Sequence, residues 1–263
     1  MNGAPPAIHD TGEGAALLLL HAFPLDASQW DHQVAALSGQ YRCVRPDYWG
    51  CGASPAPPES EPSLDAYATA LLEGLREMGV DRFHLVGCSM GGYISFAVLR
   101  QAAQRVLSLM LVSTRATSDT EQGRQGRLAL ADTVIREQSV ESIVEANIER
   151  LLGPRARAEV HVTDPVRGRI RRCTPAGVAH AARAMAARPD SSAQLASIET
   201  PTLVVSGRED VATPRDDVDA MVTGIRGARL ITMSTGHLCN LEEPPAFTEE
   251  ARRFLESLSS AAA

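Results

Sequence analysis

The chain has 263 residues, 44% of them hydrophobic and 22% charged, enough for one large domain or for one domain carrying an insertion. Its formal net charge of -7 argues against nucleic acid as the main partner. All 25 basic residues are arginine, so no lysine Schiff base can form.

The five cysteines, Cys43, Cys51, Cys88, Cys173 and Cys239, are odd in number and lack C-x-x-C spacing. They read as reduced thiols of a cytoplasmic protein rather than as a disulfide framework. Residues 1–14 hold neither a basic nor an apolar leader segment and leave room for one short strand, at 7–10, before a turn at Gly12-Glu13-Gly14. Residues 15–20 form a continuous apolar run, the pattern of a parallel strand buried on both faces and far too short to span a membrane. Trp30, Val34 and Leu37 then fall at near-helical spacing, and 41–45 is the next strand. A turn-rich loop covers 46–55. Ser63 is a good N-cap for a helix whose buried face is Leu64, Tyr67, Ala68, Leu71, Leu72, Leu75 and Met78. The strand at 83–86 runs into Gly87-Cys88-Ser89-Met90-Gly91, followed by a helix to about 104 and a strand at 107–112.

Strand and helix alternate up to this point, as a parallel sheet with right-handed crossovers requires. After Ser113 the alternation stops. Only helical segments are predicted from 114 to 188, at about 120–136, 140–152, 165–173 and 175–187. Alternation resumes with a strand at 201–206, a helix opening at Thr213-Pro214, a strand at 228–232 and a last helix at about 245–258. The helical block is therefore an insertion between two strands of one sheet, not a tandem domain.

The chemistry centres on Ser89. A strand that turns sharply into a helix strains the residue at its apex, and the glycines two before and two after give the neighbouring backbones room. The turn lifts the Ser89 hydroxyl clear of the sheet beside free N–H groups of the next helix. A serine hydroxyl is inert until a base takes its proton. Downstream, Asp210 and His237 each follow an apolar strand at its carboxyl end, where open α/β sheets place their sites. No phosphate-binding glycine loop, H-E-x-x-H or Cys/His cluster is present in the sequence, so neither a metal nor a cofactor is expected.

The order of His21-Ala22-Phe23-Pro24, Asp47 with Gly50-Cys51-Gly52-Ala53-Ser54, the turn at Ser89, Gly207-Arg208-Glu209-Asp210 and Gly236-His237 resembles that of the α/β-hydrolases with a four-helix cap. It is most similar to the branch of 3-oxoadipate enol-lactonases, small carboxylesterases and cofactor-free haloperoxidases. The resemblance implies an α/β-hydrolase fold, with a mostly parallel central sheet flanked by helices. The core would comprise 1–113 and 189–263, and the inserted helical cap 114–188. It implies Ser89 as nucleophile, His237 as general base and then acid, and Asp210 as the group orienting the imidazole, with Glu209 the rival acid. Oxyanion donors would be the N–H of Met90 and, by resemblance, that of Phe23, although Ala22 stands where relatives carry glycine. His21 is expected to be a hydrogen bonder of its loop, Asp47 to tie down the Gly-rich loop, Cys88 to be inert packing and Cys239 to lie near the site. Relatives carry two antiparallel strands before the one ending at His21, and here the first is missing or vestigial.

The expected activity is hydrolysis of a small-molecule carboxylic ester or lactone through an acyl-enzyme, without nucleic-acid or membrane partners. The same triad also serves perhydrolases or haloperoxidase-like enzymes and carbon–carbon bond hydrolases, and a ligand-binding receptor can be built on the same fold. Charge adds a further expectation. Residues 114–188 hold thirteen arginines against nine acids, whereas the rest of the chain holds twelve against twenty-three. A basic lid over an acidic body focuses field toward an anionic substrate. The densest cluster is Arg167, Arg169, Arg171 and Arg172, from which helical spacing lets one or two face the pocket.

Overall fold

The computed structural model describes residues 4–259; residues 1–3 and 260–263, to which the expected core extends, lie outside them. The apolar runs form seven strands: β1 (Ile8–Thr11), β2 (Ala15–Leu20), β3 (Tyr41–Pro46), β4 (Phe83–Cys88), β5 (Val106–Val112), β6 (Thr202–Gly207) and β7 (Arg229–Met233). They make one sheet in the order β1-β3-β2-β4-β5-β6-β7. β1 pairs antiparallel with β3, and every other pairing is parallel. Among the described residues β1 is the only strand before β2.

Alternate residues of each strand point to opposite faces, and here both faces are covered. Leu17, Leu19, Val86, Met110, Leu203 and Val205 share one buried cluster with Trp30, Phe247 and Phe254. The flanking helices on that side are α1 (Asp31–Leu37) and the C-terminal helix, Pro244–Ser259. Leu18, Leu20, Leu85, Leu109, Leu111 and Val204 share the other with Tyr67, Leu71, Ile94, Phe96 and Met221. These last side chains come from α2 (Leu64–Glu77), α3 (Met90–Ala102) and the helix Arg215–Gly224. Ser63 caps α2 as its sequence position predicts, its side chain accepting the Ala66 N–H.

Between β5 and β6 the chain forms α4 (Glu121–Glu137), α5 (Glu141–Leu151), α6 (Pro154–Arg157), α7 (Val160–Arg171) and α8 (Pro175–Ala186), and no strand. The helix expected to open at Pro165 instead begins at Val160 and runs through the proline. Val162 and Thr163 donate to Glu159 O and nucleate the helix one turn earlier, so Pro165 removes a single hydrogen bond from a helix already started. The remaining helices are α9 (Arg215–Gly224), α10 (Cys239–Glu242) and α11 (Pro244–Ser259).

The cysteine reading needs correction. Cys51 and Cys173 form a disulfide, and only Cys43, Cys88 and Cys239 are free thiols. The bridge joins the loop after β3 to the α7–α8 connection, where the backbones are already in contact: Thr174 N–H donates to Gly50 O at 2.6 Å. The expectation of a cytoplasmic protein loses the support it drew from five reduced thiols. Among the described residues no helix is long and apolar enough to cross a membrane.

Candidate active site

Ser89 sits between β4 and α3, at φ 55°, a conformation that costs a residue with a Cβ ~1–3 kcal/mol. Main-chain bonds hold it there. Its N–H donates to Val112 O (2.9 Å), and its carbonyl accepts the N–H groups of Gly92 (2.9 Å) and Tyr93 (3.2 Å). A Cβ on Gly87 would fall 2.4 Å from Gly91 O, and one on Gly91 would fall 2.3 Å from Leu20 O. The flanking glycines are therefore required by backbone contact, as the spacing predicts.

Asp210 and His237 meet at the same edge of the sheet. His237 Nδ1 lies 2.8 Å from Asp210 Oδ2, with the two side chains 3% and 2% exposed. The other carboxylate oxygen of Asp210 accepts the N–H groups of Ala212 (2.8 Å) and Thr213 (3.1 Å). Burial by itself would raise the Asp210 pKa. The charge and hydrogen bond of His237, with the two N–H groups, outweigh it and hold the carboxyl below its ordinary value. Facing a carboxylate, Nδ1 carries the proton and Nε2 is left as the acceptor. Nε2 is buried and has no hydrogen-bond partner among the described residues. Glu209, the rival acid, does not reach the imidazole; its N–H donates to Thr235 O (2.9 Å) and its carboxylate points toward Gly153.

Ser89 and His237 line one narrow chamber of about 30 Å³, together with Phe23, Tyr93, Arg127, Asn147, Arg150, Leu151, Met185 and Ala212. Ser89 Oγ and His237 Nε2 share the chamber without a hydrogen bond between them; contacts of this kind commonly tighten in the Michaelis complex. The N–H groups of Phe23 and Met90 likewise have no acceptor among the described residues. The chamber adjoins a wider cavity of about 360 Å³ between α4 and α5. Phe23, Arg127, Asn147 and Arg150 line both spaces and form the collar between them.

The collar carries the arginines that sequence reading missed. The cluster singled out there faces elsewhere. Arg167 pairs with Glu145 (2.7 Å) and Asp164 (3.0 Å), Arg171 with Glu141, and Arg172 with Asp26 (2.6 Å). Arg169 donates to Ser28 Oγ (3.0 Å) and Ser28 O (2.9 Å). Arg169 and Arg172 line a separate open cavity of about 550 Å³, which contains neither Ser89 nor His237. Beside the collar, by contrast, Arg127 joins Arg115 and Arg188 in converging on Asp119, at 2.5, 2.6 and 2.8 Å. Arg150 makes no ion pair or hydrogen bond among the described residues. Its pKa is lowered, first by loss of solvent and then by the charge of Arg127, with Arg115 adding to this and Tyr93 and Asp119 opposing it.

The remaining residues singled out from sequence hold the framework. His21 Nδ1 is 2.9 Å from Ala22 O, and His21 Nε2 accepts the Tyr48 N–H at 3.2 Å. Asp47 accepts the N–H groups of Ala27 (2.7 Å) and Ala53 (2.8 Å) and contacts His9 Nε2 (2.9 Å). Burial pushes the Cys88 thiol pKa well up and that of Cys239 up to about 11, so both stay protonated at neutral pH.

The family model described as alpha/beta hydrolase fold matches residues 15–244. The chain belongs to the α/β-hydrolase family. Among curated relatives, 3-oxoadipate enol-lactonase 1 of Acinetobacter baylyi is 27% identical, over 92% of this chain and 89% of that protein. A thermophilic esterase from Thermogutta terrifontis, solved with malate bound, superposes with a TM-score of 0.91 at 34% identity, covering 96% of this α/β-hydrolase and 93% of the esterase. The enol-lactonase from Burkholderia xenovorans LB400 superposes with a TM-score of 0.87 at 27% identity, covering 95% and 96% of the two chains. The expected branch of the family, esterases and enol-lactonases, is thus borne out.

Proposed function

We propose that this α/β-hydrolase cleaves a carboxylic ester or lactone through an acyl-enzyme on Ser89. The observation that carries the reading is the buried Asp210–His237 pair, whose free Nε2 opens on the chamber that also holds Ser89. Nε2 takes the Ser89 proton as Oγ attacks the substrate carbonyl. The negative charge then developing on the carbonyl oxygen is met by the N–H groups of Met90 and Phe23, which are worth several kcal/mol each when preorganised, on the order of 3. His237 returns the proton to the leaving alkoxide, which in a lactone stays tethered to the acyl group. Water, deprotonated by the same Nε2, then releases the acid. Residues 114–188 act as the cap over this chamber, and residues 1–113 and 189–263 as the catalytic core.

The substrate we infer is anionic. Collar residue Arg127 shares Asp119 with Arg115 and Arg188, whereas Arg150 is left over on the path that a substrate takes to Ser89. An uncompensated guanidinium beside a low-dielectric chamber favours a carboxylate on the incoming molecule. The malate held by the Thermogutta esterase is itself a dicarboxylate, in keeping with this reading.

Two measurements test these readings. An organophosphonate should add once, at Ser89, by intact-mass and peptide mapping, and Ser89→Ala should be inactive but folded; labelling elsewhere with full inactivation refutes the nucleophile. The 4-nitrophenyl monoester of succinate should be turned over with higher kcat/KM than its methyl-capped analogue at low ionic strength. Added salt or Arg150→Gln should erase that advantage. Equal rates for both substrates would leave a general esterase.

A further inference from the structure

The short helix α10 begins two residues after His237 and ends on Glu242, whose carboxylate folds back over the loop that carries the imidazole. Glu242 Oε2 accepts two main-chain N–H groups, that of Gly236 at 2.9 Å and that of Gly153 at 3.0 Å. Gly236 directly precedes His237. Gly153 lies between α5 and α6, two residues beyond Leu151 of the chamber wall. One carboxylate oxygen therefore fastens the His237 loop to the helical block.

The bridge lies on a seam where the two segments are closely packed. A Cβ on Gly236 would fall 2.3 Å from Gly153 N, so the two backbones are in direct contact. The N–H groups of His237 and Leu238 both donate to Leu151 O, at 3.1 and 3.2 Å, which lengthens the same seam. Glu242 has no ion-pair partner among the described residues, and its other oxygen, Oε1, is buried without a hydrogen bond. Burial raises its pKa, opposed by the main-chain N–H bonds and assisted by nearby Glu209. A carboxylate kept away from water without a cation is costly. Here the expense coincides with the one side-chain bridge, among the described residues, between the imidazole loop and the wall bearing Asn147 and Arg150.

We propose that Glu242 is a positioning residue. By bridging Gly236 and Gly153 it holds His237 in register with the chamber wall, so the base and the substrate-binding surface move as one unit. The role rests on the reading of His237 as the base, and it requires an acceptor at Oε2 rather than a charge. Small displacements of a base cost rate steeply, on the order of 100-fold for ~1 Å.

The test compares the full-length wild type with Glu242→Ala, Glu242→Gln and His237→Ala on 4-nitrophenyl butyrate. Glu242→Ala should lower kcat by about tenfold or more with KM changed less than about threefold, the signature of a lost transition-state geometry. Glu242→Gln keeps an oxygen for both N–H groups and should recover kcat to within about threefold of wild type. If Glu242→Ala does not fold, Glu242→Asp takes its place, since it withdraws the acceptor by one methylene while keeping the charge. Wild-type kcat in the Ala or Asp variant overturns the proposal, as does a Gln variant as slow as Ala. An active His237→Ala overturns the base assignment itself, whereas an inactive His237→Ala beside an unaffected Glu242→Ala overturns only the role of Glu242.

Discussion

Replacing Asp210 by Asn keeps the volume of the side chain and changes what it can donate. The two N–H groups of Ala212 and Thr213, at 2.8 and 3.1 Å from Oδ1, dictate which end of an Asn amide points toward them: the carbonyl oxygen. The amide NH2 is then placed where Oδ2 was, 2.8 Å from His237 Nδ1. Two donors cannot share that contact, so the imidazole shifts its proton to Nε2, the nitrogen that accepts the Ser89 proton in the proposed reaction. Escaping this by flipping the amide turns NH2 toward two N–H donors, at about 1–3 kcal/mol for each buried group left unpaired. The variant also loses the carboxylate that stabilises the imidazolium. Together these amount to roughly 4–6 kcal/mol, or a fall in kcat on the order of 10³–10⁴-fold at 1.36 kcal/mol per decade. The assay is kcat on 4-nitrophenyl acetate from pH 6 to 9, with active sites counted by phosphonate labelling. Glu209→Gln is the control and should stay within about threefold of wild type, because its carboxylate does not touch the imidazole. An Asp210→Asn variant keeping more than a tenth of the activity, or a Glu209→Gln variant slower than it, would refute the argument.

Three further outcomes follow from the packing. His180, hydrogen-bonded through Nδ1 to Tyr67 Oη at 2.9 Å, has its pKa pushed down to about 4 by burial and by Arg183. The unfolded chain therefore takes up a proton that the native state refuses, and stability is lost as pH falls from about 6.5 toward 4. Urea melts at pH 7.5 and 5 should lose roughly 1–2 kcal/mol more for wild type than for His180→Gln, and equal losses would exclude His180 as the cause. Thiol counting in denaturant should find three free thiols before reduction, and reduction should lower stability by roughly 4–5 kcal/mol in the chain-entropy account of a loop this long; five thiols without reductant would refute the disulfide. Gly91→Ala, whose Cβ would fall 2.3 Å from Leu20 O, should lose about 1–3 kcal/mol of stability and much of its activity, and a variant matching wild type in both would show that the elbow yields.

Much of this α/β-hydrolase is legible locally. Buried parallel strands have to be apolar on both faces, so Leu17–Leu20 and Leu109–Val112 announce themselves without any partner. The tight turn at Ser89 needs glycines at fixed offsets, because Gly91 lies against the Leu20 backbone. Asp210 and His237 could be named from their places after two strands, since parallel strands deliver all their carboxyl ends to one edge. What joins distant segments left no such mark. Cys51 and Cys173 stand 122 residues apart, and nothing in either neighbourhood encodes that the loop after β3 meets the α7–α8 connection. The arginine cluster on α7 was conspicuous in sequence, yet pairing with Glu145, Glu141 and Asp26 turns it away from Ser89. Arg150, alone on its stretch of chain, instead stands at the chamber with Arg127. Helical periodicity tells which residues share a face but not which acids lie opposite that face. Charge neutralisation is decided across tertiary contacts, and so are the pairing of cysteines and the bridge that Glu242 makes to Gly153 and Gly236.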